Sequence, residues 1–198
     1  MNKSEKAKML AGEFYNSRDP ELLGMYHRAR RLLGEFNHTA SSDAAMKEHL
    51  LRELLGELGR GVWIEAPFYC DYGEYITIGD NSFVNFNCMF LDCNRIEIGK
   101  NALIAPNVQI YTAYHPLDAR ERIRKDWHEG DGQAIYRTQS APVTVGDNVW
   151  IGGGTIVLPG VRIGSNSTVG AGSVVTKDVP EGVLALGNPC RVVRKISP

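Results

Sequence analysis

Residues Val145 to Pro180 read VGDNVW IGGGTI VLPGVR IGSNST VGAGSV VTKDVP, six hexads in a single register. Each hexad begins with a β-branched residue: Val145, Ile151, Val157, Ile163, Val169 and Val175. Glycine often follows, as Gly146, Gly152, Gly164 and Gly170, and four places on from each first position stand Val149, Thr155, Val161, Ser167, Ser173 and Val179. With 43% of the chain apolar, six apolar residues in register would arise by chance about 0.6% of the time. β-branched residues favour extended backbone and a small residue permits a sharp corner. One short strand and one corner per hexad describe a three-walled solenoid, with about 18 residues closing each coil.

The register extends towards the N-terminus through Ile78, Val84, Phe90 and Ile96 and, after a shift of two, through Ile98, Ile104 and Ile110; Ile64, Cys70 and Ile76 are fainter members. Before it the period changes. Leu22, Leu23, Tyr26, Ala29 and Leu33, then Met46, Leu50, Leu51, Leu54 and Leu58, recur three and four apart, which is helical amphipathicity. Asp19-Pro20-Glu21 supplies an N-cap, a proline at the first helical position and an early acid; Ser41 or Ser42 is placed to cap a second helix that would run to Gly59-Arg60-Gly61. The expected organisation is a helical cap over residues 1–60, a β-solenoid over 61–190 interrupted by a loop at 112–142, and a tail at 191–198. A solenoid has open ends, and the helices are the natural cover for one of them.

The interruption carries chemistry-bearing residues. Thr112-Ala113-Tyr114-His115-Pro116-Leu117-Asp118 sits where a strand leaves the wall, ahead of a charged stretch with Arg120, Glu121, Arg122, Arg124, Lys125 and Asp126. Long irregular segments in compact domains are usually functional or disordered.

Composition narrows the function classes. In 198 residues, 22 Lys+Arg oppose 23 Asp+Glu for a net charge of -1, so bulk electrostatics favours neither nucleic acid nor an anionic membrane. No segment has the apolar length of a membrane span, and Met1 to Lys8 lack a signal-type apolar core, which gives a cytoplasmic expectation. Cys70, Cys88, Cys93 and Cys190 show no CxxC spacing and read as reduced, buried thiols; no metal site is expected. A Walker A sequence is absent.

Hexads followed by Tyr114-His115-Pro116-Leu117-Asp118 resemble the hexapeptide-repeat sugar O-acetyltransferases of the maltose and galactoside type. The likeness includes Glu5 to Glu13, Phe36-Asn37-His38, Cys70-Asp71-Tyr72-Gly73, Asn85-Phe86-Asn87, Ile104-Ala105-Pro106, Asn148 to Gly153, and Val175 to Pro180 leading to Gly187-Asn188-Pro189. It implies a left-handed parallel β-helix, mainly β with an N-terminal helical segment, assembled as a homotrimer with sites between subunits. It implies acetyl-CoA as donor and a small sugar as acceptor. His115 would be the general base, because an alcohol is a poor nucleophile until a base takes its proton; His128 lies deep in the loop, and His27, His38 and His49 lie in the helical segment. Asn85 matches the second catalytic position of the family, as an oxyanion donor; its alternative is a corner ladder with Asn87.

By the same resemblance Ser17, Tyr26, Asp71, Phe83 and Cys93, with Asn85, line the acceptor side, and Trp150, Gly153, Ala171, Thr176, Lys177, Arg191 and Arg194 hold coenzyme A. Two positions depart from the family pattern: Ser17 replaces an acid of the galactoside enzymes, and Tyr26 replaces an arginine, removing two strong hydroxyl ligands. Three rivals stand beside this reading. They are the same chemistry on an amino sugar or xenobiotic, a non-catalytic binding solenoid, and a zinc hydratase. The last would need three histidines around its metal, whereas only His115 falls near a coil.

Overall fold

The computed structural model describes residues 3–196. Three parallel walls make the solenoid. The first stacks Glu57–Leu58, Ile76–Ile78, Ile96–Ile98, Val143–Val145 and Arg162–Ile163. The second stacks Trp63–Ile64, Phe83–Val84, Leu103–Ile104, Trp150–Ile151, Thr168–Val169 and Val183–Leu186. The third stacks Phe68–Cys70, Cys88–Leu91, Gln109–Tyr111, Ile156–Val157 and Val174–Val175. Every hexad lead residue points inward: Val145, Ile151, Val157, Ile163, Val169 and Val175 are all buried, as are the second small positions from Val149 to Val179. Buried hydroxyls satisfy themselves on corner carbonyls, Ser82 Oγ on Gly99 O at 2.9 Å and Ser167 Oγ on Pro180 O at 2.7 Å, so the small inward residues cost no unpaired polar atom.

Each corner has its own device. At the first, between walls one and two, Asn81, Asn101, Asn148 and Asn166 adopt φ of 54 to 61°. Their amides bond from coil to coil: Asn101 Nδ2 to Asn148 Oδ1 at 3.0 Å, Asn148 Nδ2 to Asn166 Oδ1 at 2.9 Å. Asparagine tolerates the left-handed region and pairs with itself, so one residue type serves both needs. At the second corner, Asn87 and Asn107 do likewise. Asn85 therefore has no part in that ladder; its Oδ1 accepts from Phe86 N at 2.8 Å.

The third corner, between walls three and one, is where the sequence register slips. Cys70 to Ile78 and Phe90 to Ile98 are eight apart instead of six, and after Ile110 the long loop intervenes. Three successive coils thus put their extra residues on one edge.

The cap comprises α1 (Glu5–Leu10), α2 (Pro20–His38) and α3 (Ala44–Leu54). Asp19 caps α2, with Pro20 at its start, as the sequence indicates. Asp43, rather than Ser41 or Ser42, caps α3 by accepting from Met46 N at 3.1 Å. That helix ends at Leu54, short of Gly59, because the chain turns into the first solenoid strand at Glu57. Leu22, Met25, Ala29, Leu32, Leu33 and Phe36 form the buried stripe of α2, while Leu23 and Tyr26 face outward. Asn37 closes the exposed edge of the third wall: its Oδ1 accepts from Phe68 N at 2.9 Å and its Nδ2 donates to Phe68 O at 3.0 Å, which blocks further strand pairing there. The expected tail is ordered as Arg191–Lys195, antiparallel to Val183–Leu186; Ser197 and Pro198 lie outside the described residues.

Candidate active site

The additions at the third corner build a cavity against the cap. Asp92, in the second insertion, is fully buried and its carboxylate accepts from Asp71 N at 2.9 Å, Tyr72 N at 2.8 Å and Tyr75 N at 3.2 Å. It folds the first insertion into a turn. Asn94 does the same for the third: its backbone N–H donates to Thr112 Oγ1 at 2.9 Å and its Nδ2 donates to Ser140 Oγ at 3.0 Å. The segment 112–142 is therefore anchored at its root, where Ala113–Tyr114 pairs antiparallel with Gln139–Ser140. It docks on the cap through Ser140 Oγ to Met9 O at 2.5 Å and Gln139 Nε2 to Gly12 O at 3.1 Å, and it carries a short helix, α4 (Ala119–Arg122).

Between this edge and α2 lies a cavity of about 550 Å³, lined among others by Ser17, Tyr26, Asp71, Cys93, His115 and Tyr136, within the range of small-molecule sites. The His115 ring is seated by Tyr136, edge-on at 5.2 Å between centroids, and its Nδ1 lies 2.8 Å from Arg137 O. A carbonyl oxygen can only accept, so Nδ1 carries the hydrogen and Nε2 of the neutral ring keeps its lone pair. That is the tautomer a general base needs.

Opposite stands an acidic, sulfur-containing wall. Cys93 Sγ donates to Asp71 Oδ2 at 3.4 Å. Burial pushes the Asp71 carboxyl above the ordinary carboxylate range, against the lowering effects of the Cys93 hydrogen bond and the Arg30 charge. Burial likewise raises the Cys93 thiol, as do the Asp71 and Asp92 carboxylates, and it raises the Tyr15 and Tyr72 hydroxyls. The cysteines are free and buried; Cys93 is a neutral donor here, not a thiolate nucleophile.

Sequence reasoning missed Asp92, Asn94, Tyr136 and Arg30. The signal for Arg30 was present: it follows Tyr26 by four residues, one helical turn. Its guanidinium lies 4.4 Å over the Tyr26 ring and its Nη2 is 3.6 Å from Asp71 Oδ1. A guanidinium thus stands beside the cavity although position 26 itself carries none.

The remaining expected residues are elsewhere. Phe83 and Asn85 sit on the second wall and second corner, with Trp150, Gly153 and Ala171 stacked on them in later coils. Gly153 leaves bare backbone, since a Cβ there would stand 3.2 Å from Pro106 O. Arg191 and Arg194 lie on the strand that ends the second wall. Thr176 and Lys177 share the third corner with His115, two coils beyond it. Within one chain the structure does not bring Asn85 or Phe83 to His115. A second cavity of about 570 Å³ adjoins Tyr15 and Tyr136; four of its charged residues pair among themselves, Lys8 with Glu5 at 2.6 Å and Arg124 with Asp126 at 3.4 Å. Among the described residues no group of three or more His, Cys, Asp or Glu is placed to hold a metal ion.

A seated imidazole at an interrupted corner of a hexad-built parallel solenoid defines a class, and comparison with known proteins agrees. Residues 8–59 match the maltose acetyltransferase hexapeptide capping motif and 142–177 the bacterial transferase hexapeptide (six repeats). Nodulation protein L of Rhizobium meliloti is 47% identical over 192 residues, 97% of this chain and 99% of that protein. A solved maltose O-acetyltransferase from Clostridium difficile 630 is 45% identical with a TM-score of 0.91, covering 99% of both chains. A galactoside acetyltransferase solved in complex with coenzyme A is 39% identical with a TM-score of 0.90, covering 99% of this chain and 92% of that one. The chain belongs to the hexapeptide-repeat acetyltransferases and is an acetyltransferase.

Proposed function

We propose that this enzyme moves an acetyl group from acetyl-CoA to a hydroxyl of a small sugar, working as a homotrimer whose sites lie between neighbouring chains. The observation that carries the reading is the His115 ring, whose Nδ1 lies 2.8 Å from Arg137 O, leaving Nε2 as the remaining ring nitrogen, on the wall of a cavity bordered by Asp71 and Ser17. Nε2 takes the acceptor hydroxyl proton as the oxygen attacks the acetyl carbonyl, and returns it to the leaving thiolate. Asp71 accepts hydrogen bonds from acceptor hydroxyls, and Asn85 donates to the developing oxyanion. Acetyl-CoA supplies the acyl carbon. The bare backbone at Gly153 and the small side chain of Ala171, beside Trp150, suit the pantetheine arm; Thr176 and Lys177, on the third corner, are further contacts for it, and Arg191 and Arg194 suit its phosphates.

The trimer answers a geometric need. Asn85 and Trp150 lie on a different corner and wall from His115, so a neighbour must bring the two sets together. The second wall is built for contact: Trp63, Phe83, Leu103 and Trp150 are register neighbours on its outer face, and Trp63, Leu103 and Trp150 are about half exposed. Apolar stripes of this kind mark association surfaces.

The test is thiol release from acetyl-CoA against a panel of maltose, a simple galactoside, glucosamine and an aminoglycoside. Sugar-hydroxyl turnover with maltose or the galactoside supports the reading. Turnover confined to the amines moves the acceptor to an amino sugar or xenobiotic. If coenzyme A shifts no melting temperature at millimolar concentration, the binding-solenoid alternative takes over.

A further inference from the structure

We propose that Arg30 is the positioning residue of the acceptor pocket: clamped between the Tyr26 ring, the Cys70 carbonyl and Asp71, it fixes the Asp71 carboxylate at the cavity wall. The inference rests on the acceptor reading given above for Asp71.

Three contacts converge on one guanidinium. Its Nη1 donates to Cys70 O at 2.6 Å, its Cζ lies 4.4 Å from the Tyr26 ring centroid, and its Nη2 approaches Asp71 Oδ1 at 3.6 Å. Tyr26 and Asp71 line the cavity; Arg30 does not, and acts from behind them. The planar fork suits this seat, because one edge can hold a carbonyl while a second nitrogen serves the carboxylate and the face rests on a ring. Burial disfavours the charge on Asp71, with buried Asp92 close beneath it, and apart from Arg30 only the neutral Cys93 thiol, donating to Oδ2, supports that charge. Of the charged groups affecting Asp71, only Arg30 lowers it. Only the ionised carboxylate accepts hydrogen bonds on all its lone pairs, so the cation keeps the pocket in its hydroxyl-binding state.

Arg30 also caps the edge of the third wall through Cys70 O, so a purely structural role must be separated. Arg30→Gln retains an N–H for that carbonyl and removes the charge; Arg30→Lys restores charge without the fork. With maltose as acceptor, Arg30→Gln should raise the acceptor KM at least about tenfold at pH 7 while the acetyl-CoA KM stays within about twofold, and Arg30→Lys should recover part of the loss. Independently of any acceptor, ¹³C-carboxyl titration of aspartate-labelled protein, with the Asp71 signal assigned by its absence in Asp71→Asn, should show its midpoint move up in Arg30→Gln and return in Arg30→Lys. Should Arg30→Gln fail to assemble, Tyr26→Leu removes the ring seat; because Tyr26 also lines the cavity, that variant is read by the Asp71 midpoint alone, which should again move up. A lowered melting temperature with the Asp71 midpoint unmoved, or equal changes in both KM values, overturns the proposal. Wild-type inactivity on every sugar with the midpoint shift present would instead remove the acceptor reading and leave the Arg30–Asp71 coupling standing.

Discussion

Among the described residues His115 has no ionic partner, and its ring takes its orientation from a backbone carbonyl and an aromatic edge. Replacing it should leave the fold intact, because the ring is exposed and the strand pair beneath it is held by Ser140 and Asn94. His115→Ala should therefore lower kcat by about 10²–10⁴-fold with an unchanged circular dichroism spectrum; near-native turnover would take the imidazole out of the mechanism. Asp92 poses the opposite case, a buried group whose effect is on stability. Burial pushes it up to about 7, above the ordinary value of about 3.9. On raising pH the unfolded chain gives up this proton first, so the protonated group's contribution is complete below about pH 4 and is lost as pH rises towards 7. Asp92→Asn does not titrate. Urea unfolding of the wild type should lose up to about 1.4 kcal/mol per pH unit relative to Asp92→Asn across that window, and parallel curves would show that Asp92 is ionised throughout. His115 was legible because Tyr114-His115-Pro116 is contiguous. Asp92 and Arg30 were not, since each serves a turn that reaches it only by coil stacking or helix docking.

At the scale of the elements, the hexad period was fully legible where corners are uniform and misleading where they are not. The shift of two after Ile96 looks like a blemish in the repeat, yet it is the third-corner insertion that makes room for Asp92 and Cys93. The asparagine ladder was also written in the sequence, as Asn81, Asn101, Asn148 and Asn166 at the first-corner position of successive coils, but a search centred on apolar residues passes over it. Corner glycines have a sharper meaning than flexibility. A Cβ on Gly152 would stand 2.5 Å from Ala171 N and 2.8 Å from Ala171 Cα, and backbone cannot step aside as a side chain can. Gly152→Ala should cost about 1–3 kcal/mol and lower Tm by roughly 2–10 °C. Gly34, in α2 with open space around it, makes the control: Gly34→Ala should be neutral or raise stability by up to about 1 kcal/mol. Equal Tm values for the two variants would mean that neighbouring coils are not packed at the spacing described.

For the whole molecule, one chain carries both sets of residues proposed above for the catalytic site and holds them on different corners. His115 and the cavity bordered by Asp71 occupy the third corner; Asn85, Trp150 and the bare backbone at Gly153 lie on the second wall and second corner. The family resemblance supplied both sets of residues and the expectation of sites between subunits, whereas the hand of the coil and the distance between corners cannot be read from a repeat of six, so the period alone left their separation on one chain unseen. If cyclic assembly joins the third corner of one chain to the second corner of the next, His115→Ala and Asn85→Ala damage different chains' contributions to each site. Each variant alone should be nearly inactive. Unfolded together in equal amounts and refolded as mixed trimers, they should regain activity, because a site is intact whenever its histidine donor and its asparagine donor are both undamaged. Random mixing makes that true for about a quarter of sites, whatever the number of subunits in the closed ring. Recovery near that fraction requires sites shared between chains. No recovery beyond the two variants measured separately would place both residues in one chain's site, or Asn85 outside the chemistry, and Trp63→Glu would then be expected to dissociate nothing that the reaction needs.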